Sequence, residues 1–99
     1  MDFYIIKSPS KGTIDILMRR KGSISKELPP YGVDAVGLIQ GKMIEMVVAS
    51  DIAEKATGVT VEDIKGSCPQ NMILLAIFGD TAAVEEAMEE IRKKIGKKG

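Results

Sequence analysis

Residues Met72 to Phe78 form an unbroken apolar run, Met-Ile-Leu-Leu-Ala-Ile-Phe, closed by Gly79-Asp80. A strand with one face in water would alternate in polarity. A continuous run instead marks a central strand covered on both faces. The run is far too short to span a bilayer as a helix. The rest of the chain is therefore read for neighbouring strands and covering layers.

Ala35 to Ile39 is a second apolar strand. From about Lys42 to Ala56, the residues Met43, Ile44, Val47, Val48 and Ile52 recur at helical spacing and predict a helix with one apolar stripe. Gly58 is well placed to end it. Val59 to Ile64 reads as a strand, with Val59 and Val61 alternating, and 66–71 is polar and turn-like. After Gly79, Asp80 or Thr81 can cap a last helix. Its buried stripe is Val84, Ala87 or Met88, Ile91 and Ile95. Glu85 and Glu86 stand near its positive end and Lys93 and Lys94 near its negative end. Glu89 with Lys93 and Glu90 with Lys94 are favourable pairs one turn apart.

At the front, Phe3 to Ile6 reads as a short strand and 8–12 as a turn cluster. Thr13 to Met18 places Ile14, Ile16 and Met18 on one face, which predicts another strand. Gly22 to Gly32, with Pro29-Pro30, reads as an irregular connection. The expected order is β-β-β-α-β-β-α: an α+β fold with an antiparallel-rich sheet and helices packed on it. It forms one domain, with N-terminal strands and connection over 1–33 and a strand–helix–hairpin–helix part over 34–99. The second part matches a ferredoxin-like split βαβ unit, except that no strand follows the last helix and two strands stand in front. Circular permutation, easy where termini lie close together, accounts for that order, as does an ordinary N-terminal extension.

Composition excludes several functions. Ninety-nine residues make one domain with a modest core, so association of copies adds useful burial. Fourteen basic and fourteen acidic residues give no net charge, against the basic excess of a general nucleic-acid binder. The chain has no His, which removes the usual general base and a Ser-His or Cys-His pair within one chain. Asp2 precedes only four apolar residues before Lys7, which does not read as a signal peptide, and the single Cys cannot form an internal disulfide. The expected location is cytoplasmic. Most of the six Met residues fit apolar stripes and read as core filler.

The ordered set of Ala35-Val36-Gly37-Leu38-Ile39, the helix ending Ser50-Asp51-Ile52-Ala53-Glu54-Lys55-Ala56, the hairpin, and Phe78-Gly79-Asp80-Thr81-Ala82-Ala83-Val84 resembles the bacterial microcompartment (BMC) shell domain. The front part, Ile5 to Lys26, is similar to the start of the circularly permuted subgroup, which includes propanediol and ethanolamine shell proteins. The resemblance covers nearly the whole chain. It implies a non-catalytic subunit of a flat homohexamer that tiles with other shell proteins around enzymes, in the microcompartment shell, with no membrane or nucleic-acid partner. It also implies that Gly66, Ser67, Cys68, Pro69, Gln70 and Asn71 line a central pore, and that Lys55 sits at the hexamer edge. Read by itself, Lys55 is a solvated surface lysine. The permuted relatives carry a longer N-terminal segment that can form a barrel over the pore. Here the first strand starts almost at once, so a reduced plug and a more open pore are expected.

Cys68 is the one residue with distinctive reactive chemistry. A loop between Ser67 and Pro69 is a poor place for a core side chain, and the residues alone leave it open between a bystander and a functional thiol. One thiolate cannot hold an iron–sulfur cluster, since four Cys ligands are normal. A cyclic hexamer would bring six copies to one axis, where thiolate softness favours iron–sulfur or zinc over magnesium or calcium. The setting Gly66-Ser67-Cys68-Pro69 resembles the iron–sulfur-binding shell proteins of glycyl-radical propanediol microcompartments. That likeness implies a [4Fe–4S] cluster shared between subunits, with a role in electron transfer or pore control. Ser67, Gln70 and Asn71 offer hydrogen bonds to passing solutes or serve as plain turn residues. Glu62 and Asp63 are adjacent on a strand and point to opposite faces, so they read as solvated rather than as a carboxylate pair. Two other classes compete: a small ferredoxin-like regulatory ligand-binding domain, expected to be a dimer, and a redox enzyme using Cys68, weakened by the lack of His and of a resolving Cys.

Overall fold

The computed structural model describes residues 2–20, 34–56, 58–64 and 72–95. The order of elements is β1 (Asp2–Lys7), α1 (Lys11–Arg20), β2 (Ala35–Lys42), α2 (Met43–Lys55), β3 (Val59–Ile64), β4 (Met72–Gly79) and α3 (Thr81–Ile95). The strands form one antiparallel sheet in the order β1-β2-β4-β3. The apolar run is thus a central strand, and Leu75, Ala76, Ile77 and Phe78 are buried on its two faces.

Helices cover both faces. On one, α2 lies over β3 and β4 while α3 lies over β2 and β1. Their core joins Met46, Ala49 and Ala53 of α2 and Val84, Ala87, Met88 and Ile91 of α3 to Ile39, Leu75 and Ile77. The α3 stripe falls where its spacing predicts. Asp80 caps it, accepting a hydrogen bond from the Ala83 N–H at 2.8 Å. Of the expected lysine pairs, Lys94 reaches Glu90 at 3.4 Å. β1 is tied to this layer by Lys7–Glu85 at 3.5 Å and by Arg92, whose guanidinium carbon sits 4.9 Å from the centre of the Phe3 ring.

On the other face the structure corrects the expected second strand: Thr13 to Met18 belongs to helix α1. Alternation pointed to Ile14, Ile16 and Met18, yet Ile16 is exposed and Leu17 is buried. Ile14 and Leu17, three apart, pack against Val36, Ile64, Ala76 and Phe78. That is the helical period, which a six-residue window does not separate from alternation. Ser10 starts the helix. Its Oγ accepts from the Thr13 N–H at 3.2 Å, and its carbonyl accepts from the Ile14 N–H at 3.1 Å. The order is therefore β-α-β-α-β-β-α. Before the helix, Ser8 takes a positive φ of 51° and its N–H donates to the Asp34 carbonyl at 2.7 Å, which turns the chain off the end of β1.

A second correction concerns α2. The predicted stripe of Met43, Ile44, Val47 and Val48 faces outward, and the buried residues are Met46, Ala49 and Ala53. Of the predicted stripe, Ile52 alone packs against the core. The helix is apolar nearly all round, so its periodicity names no unique inner face. Ala49 and Ala53, which face inward with Met46, let α2 lie close on β3 and β4. The connection read over Gly22 to Gly32 lies outside the described residues.

Candidate functional site

The sequence assigns two groups of site residues, and the strand register separates them. Lys42, the last residue of β2, pairs with Met72, the first of β4, and runs directly into α2. The N-terminus of α2 therefore stands at the end of the sheet where β3 and β4 are joined. At the opposite end, Gly79 pairs with both Ala35 and Val59. Helix α2 ends there, and thirteen residues carry it roughly 20 Å.

Lys55 occupies that far end. Its side chain is exposed, and its Nζ donates to Asp51 Oδ2 at 2.8 Å. A solvated lysine is what its isolated sequence context indicates, and the structure agrees. Gly66, Ser67, Cys68, Pro69, Gln70 and Asn71 lie outside the described residues. What the structure does define is their anchorage. The β3–β4 ladder ends at Ile64–Leu74, so the connecting loop leaves the sheet at the end marked by Lys42 and Met72.

The hairpin also holds a residue that departs from its sequence expectation. Asp63 is exposed, but Glu62 is 3% exposed, and its Oε1 has no hydrogen-bond partner among the described residues. The two point to opposite faces, as adjacent strand residues do. Glu62 shares the α1 face of the sheet with Ile64. A carboxylate there is costly unless satisfied. No motif flags it, because a Glu at that strand position looks identical whether the next layer covers it or not.

Elsewhere, a groove of about 410 Å³ separates α2 from α3, lined by Asp51, Lys55, Glu86, Glu90 and Lys94. Its charges are largely matched on their own helices, Asp51 with Lys55 and Glu90 with Lys94. Among the described residues, no group of three or more acidic or thiol side chains converges in a way that could hold a metal ion. Also among the described residues, no helix is long and apolar enough to cross a membrane.

A four-stranded antiparallel sheet with the α2–hairpin–α3 succession on it is the architecture expected of a BMC domain. A family model for the BMC domain matches residues 35–99. The chain belongs to the BMC-domain family of microcompartment shell proteins. Among solved structures it is similar to the ligand-free GrpU microcompartment shell protein from Clostridiales bacterium 1_7_47FAA. The two share 61% identity over 98% of this chain and 94% of that one, with a TM-score of 0.76. It is also similar to the GrpU shell protein from Pectobacterium wasabiae, at 35% identity over 92% of this chain and 99% of that one, with a TM-score of 0.73. Among curated proteins none matches.

Proposed function

We propose that this chain is a non-catalytic structural subunit of a microcompartment shell, that it closes into a cyclic hexamer, and that the β3–β4 loop faces the axis while Lys55 faces the rim. The observation that carries this reading is the placement of the loop anchorage and of Lys55 at opposite ends of one tile. With the loop at the centre of a ring, Lys55 stands at the perimeter, free to meet a neighbouring ring. Gly66 to Asn71 then line the pore, as the resemblance implies, and other shell proteins are the lateral partners.

The N-terminal unit fits circular permutation. β1 pairs with β2 at the sheet edge, beneath α3. A strand following α3 in an unpermuted ferredoxin-like unit would return to that edge.

Pore chemistry rests on Cys68. One chain has a single Cys and no His, so the chain alone does not suit an iron–sulfur cluster, and only copies brought together at an axis do. Cys68 thiolates from several copies would hold a [4Fe–4S] cluster, and the remaining copies would stay unligated because six-fold symmetry does not match a tetrahedral cluster. Such a cluster supplies one-electron transfer; at a pore it also blocks the opening. The test is anaerobic purification of the whole chain, followed by mass in solution and a visible spectrum. A hexamer with broad brown absorbance, lost in Cys68→Ser while the mass is unchanged, is expected. A colourless hexamer overturns the cluster, and a colourless dimer overturns both cluster and ring.

A further inference from the structure

The two faces of the sheet are covered unequally. On one, α2 buries Met46, Ala49 and Ala53, and α3 buries Val84, Ala87, Met88 and Ile91. On the other, α1 is the one helix among the described residues, and it buries Leu17 alone, with Ile14 half-buried beside it. A single buried leucine is thin anchorage for a helix of ten residues.

The face that α1 covers also holds a buried charge. Glu62 pairs in register with Ala76, which packs in the same cluster as Leu17. Its Oε1 finds no hydrogen-bond partner among the described residues, so covering this face carries a desolvation cost. Among the described residues no other charged side chain is buried, so the α2–α3 face carries no such cost. The helix contributes little stability of its own. Its first turn holds Lys11 and no acidic residue, against the helix dipole, and Gly12 follows. Helices this short are marginal in water without packing. At its entry Ser8 holds a φ of 51°, a region that residues other than glycine seldom adopt, and its N–H donates to the Asp34 carbonyl.

We infer that α1 is a hinged cover, which leaves the sheet and melts as one unit about Ser8 while the four strands, α2 and α3 stay folded. Opening uncovers Val36, Ala76 and Phe78 and puts the Glu62 carboxylate in water. It also frees Ile64, the last residue of β3, where the β3–β4 loop begins. Helices α2 and α3 have no matching open state, because they pack on each other as well as on the sheet. The cover belongs to the single chain and does not depend on the ring.

The test is native-state hydrogen exchange of the whole chain, read by NMR at low urea concentrations. The α1 amides are expected to share one opening, about tenfold faster or more than that of α2 and α3, with a shallower urea dependence because less surface is exposed. Two variants probe the cover itself, with circular dichroism confirming that each folds. Glu62→Met removes the buried carboxylate and is expected to slow α1 exchange roughly tenfold. Gly12→Ala adds a Cβ that meets nothing within 4 Å, and is expected to slow it about threefold by favouring the helix. If the α1 amides share the protection and urea slope of α3, the fold is one cooperative unit and the cover is overturned. If each exchanges at its own rate without urea dependence, the helix merely frays and the cover is overturned as well. An opening that neither variant slows has the same consequence.

Discussion

Lys55 Nζ lies 2.8 Å from Asp51 Oδ2, one turn back along the outer face of α2. Both side chains are well exposed, and an exposed pair at this spacing contributes about 0.3–0.5 kcal/mol. So weak a contact gives Lys55 little part in stability, whereas the proposed rim contact gives its place at the end of α2 a use. Lys55→Ala is expected to leave the thermal midpoint within about 4 °C, since about 0.5 kcal/mol moves a domain of this size by roughly 2–4 °C. Hexamers are expected to form as in wild type, while extended sheets of hexamers disappear from electron micrographs. Sheets that survive the substitution would remove Lys55 from the rim contact.

Helix α1 makes opposite demands on neighbouring residues. Leu17 is buried against the sheet and Ile16 is exposed. Leu17→Ala should cost about 2–5 kcal/mol, and Ile16→Ala should stay within about 0.5 kcal/mol. A strand over Thr13 to Met18 would reverse that ranking. Urea midpoints of the two variants decide between them. Ser10→Ala should add a loss of about 1 kcal/mol, because it removes the oxygen that caps the helix.

Gly79 ends β4 where there is no room for a side chain. A Cβ there would stand 2.7 Å from the Gly58 carbonyl oxygen and 3.3 Å from Val59 Cγ1. The first of these is backbone, in a turn where Gly58 itself holds a φ of +85°, so little can move aside. Gly79→Ala is expected to destabilise the fold by about 1–3 kcal/mol. For a domain of this size each kcal/mol lowers the melting temperature by roughly 4–8 °C. A melting temperature equal to that of wild type would show that the turn yields.

Glu62 is buried, and its Oε1 finds no hydrogen-bond partner among the described residues, an arrangement that costs stability. Removing a buried acceptor that makes no hydrogen bond relieves its desolvation cost, on the order of 1–3 kcal/mol. Glu62→Met keeps the length of the side chain and should raise the urea midpoint. A lower midpoint would mean that the carboxylate is satisfied by a neighbour in solution.

Much of the architecture is legible in the residues themselves. The apolar run of β4 demands a central position because every residue on it needs cover. The stripe of Val84, Ala87, Met88 and Ile91 docks α3 as its spacing predicts, because the opposite face is charged and leaves only one way to pack it. The exposure of Lys55 is equally legible. Gly66 to Asn71, proposed to line a pore, lie outside the described residues, so the chemistry proposed for Cys68 rests on the count of one thiol per chain and on the proposed ring.

What the sequence by itself determined is the chain's inventory: one thiol, no imidazole, a central strand apolar on both faces, and one helix with a single apolar side. Each follows from composition or from a pattern with only one physical solution. Tertiary structure decided the rest. It made Thr13 to Met18 a helix, because the α1 face of the sheet needed Leu17 rather than Ile16. It turned Met46, Ala49 and Ala53 of α2 inward and left Met43, Ile44, Val47 and Val48 outside, because a helix with apolar residues on more than one side takes its orientation from what it rests on. It buried Glu62 and left Asp63 in water, because a strand places neighbours on opposite faces and only the next layer determines which face is wet.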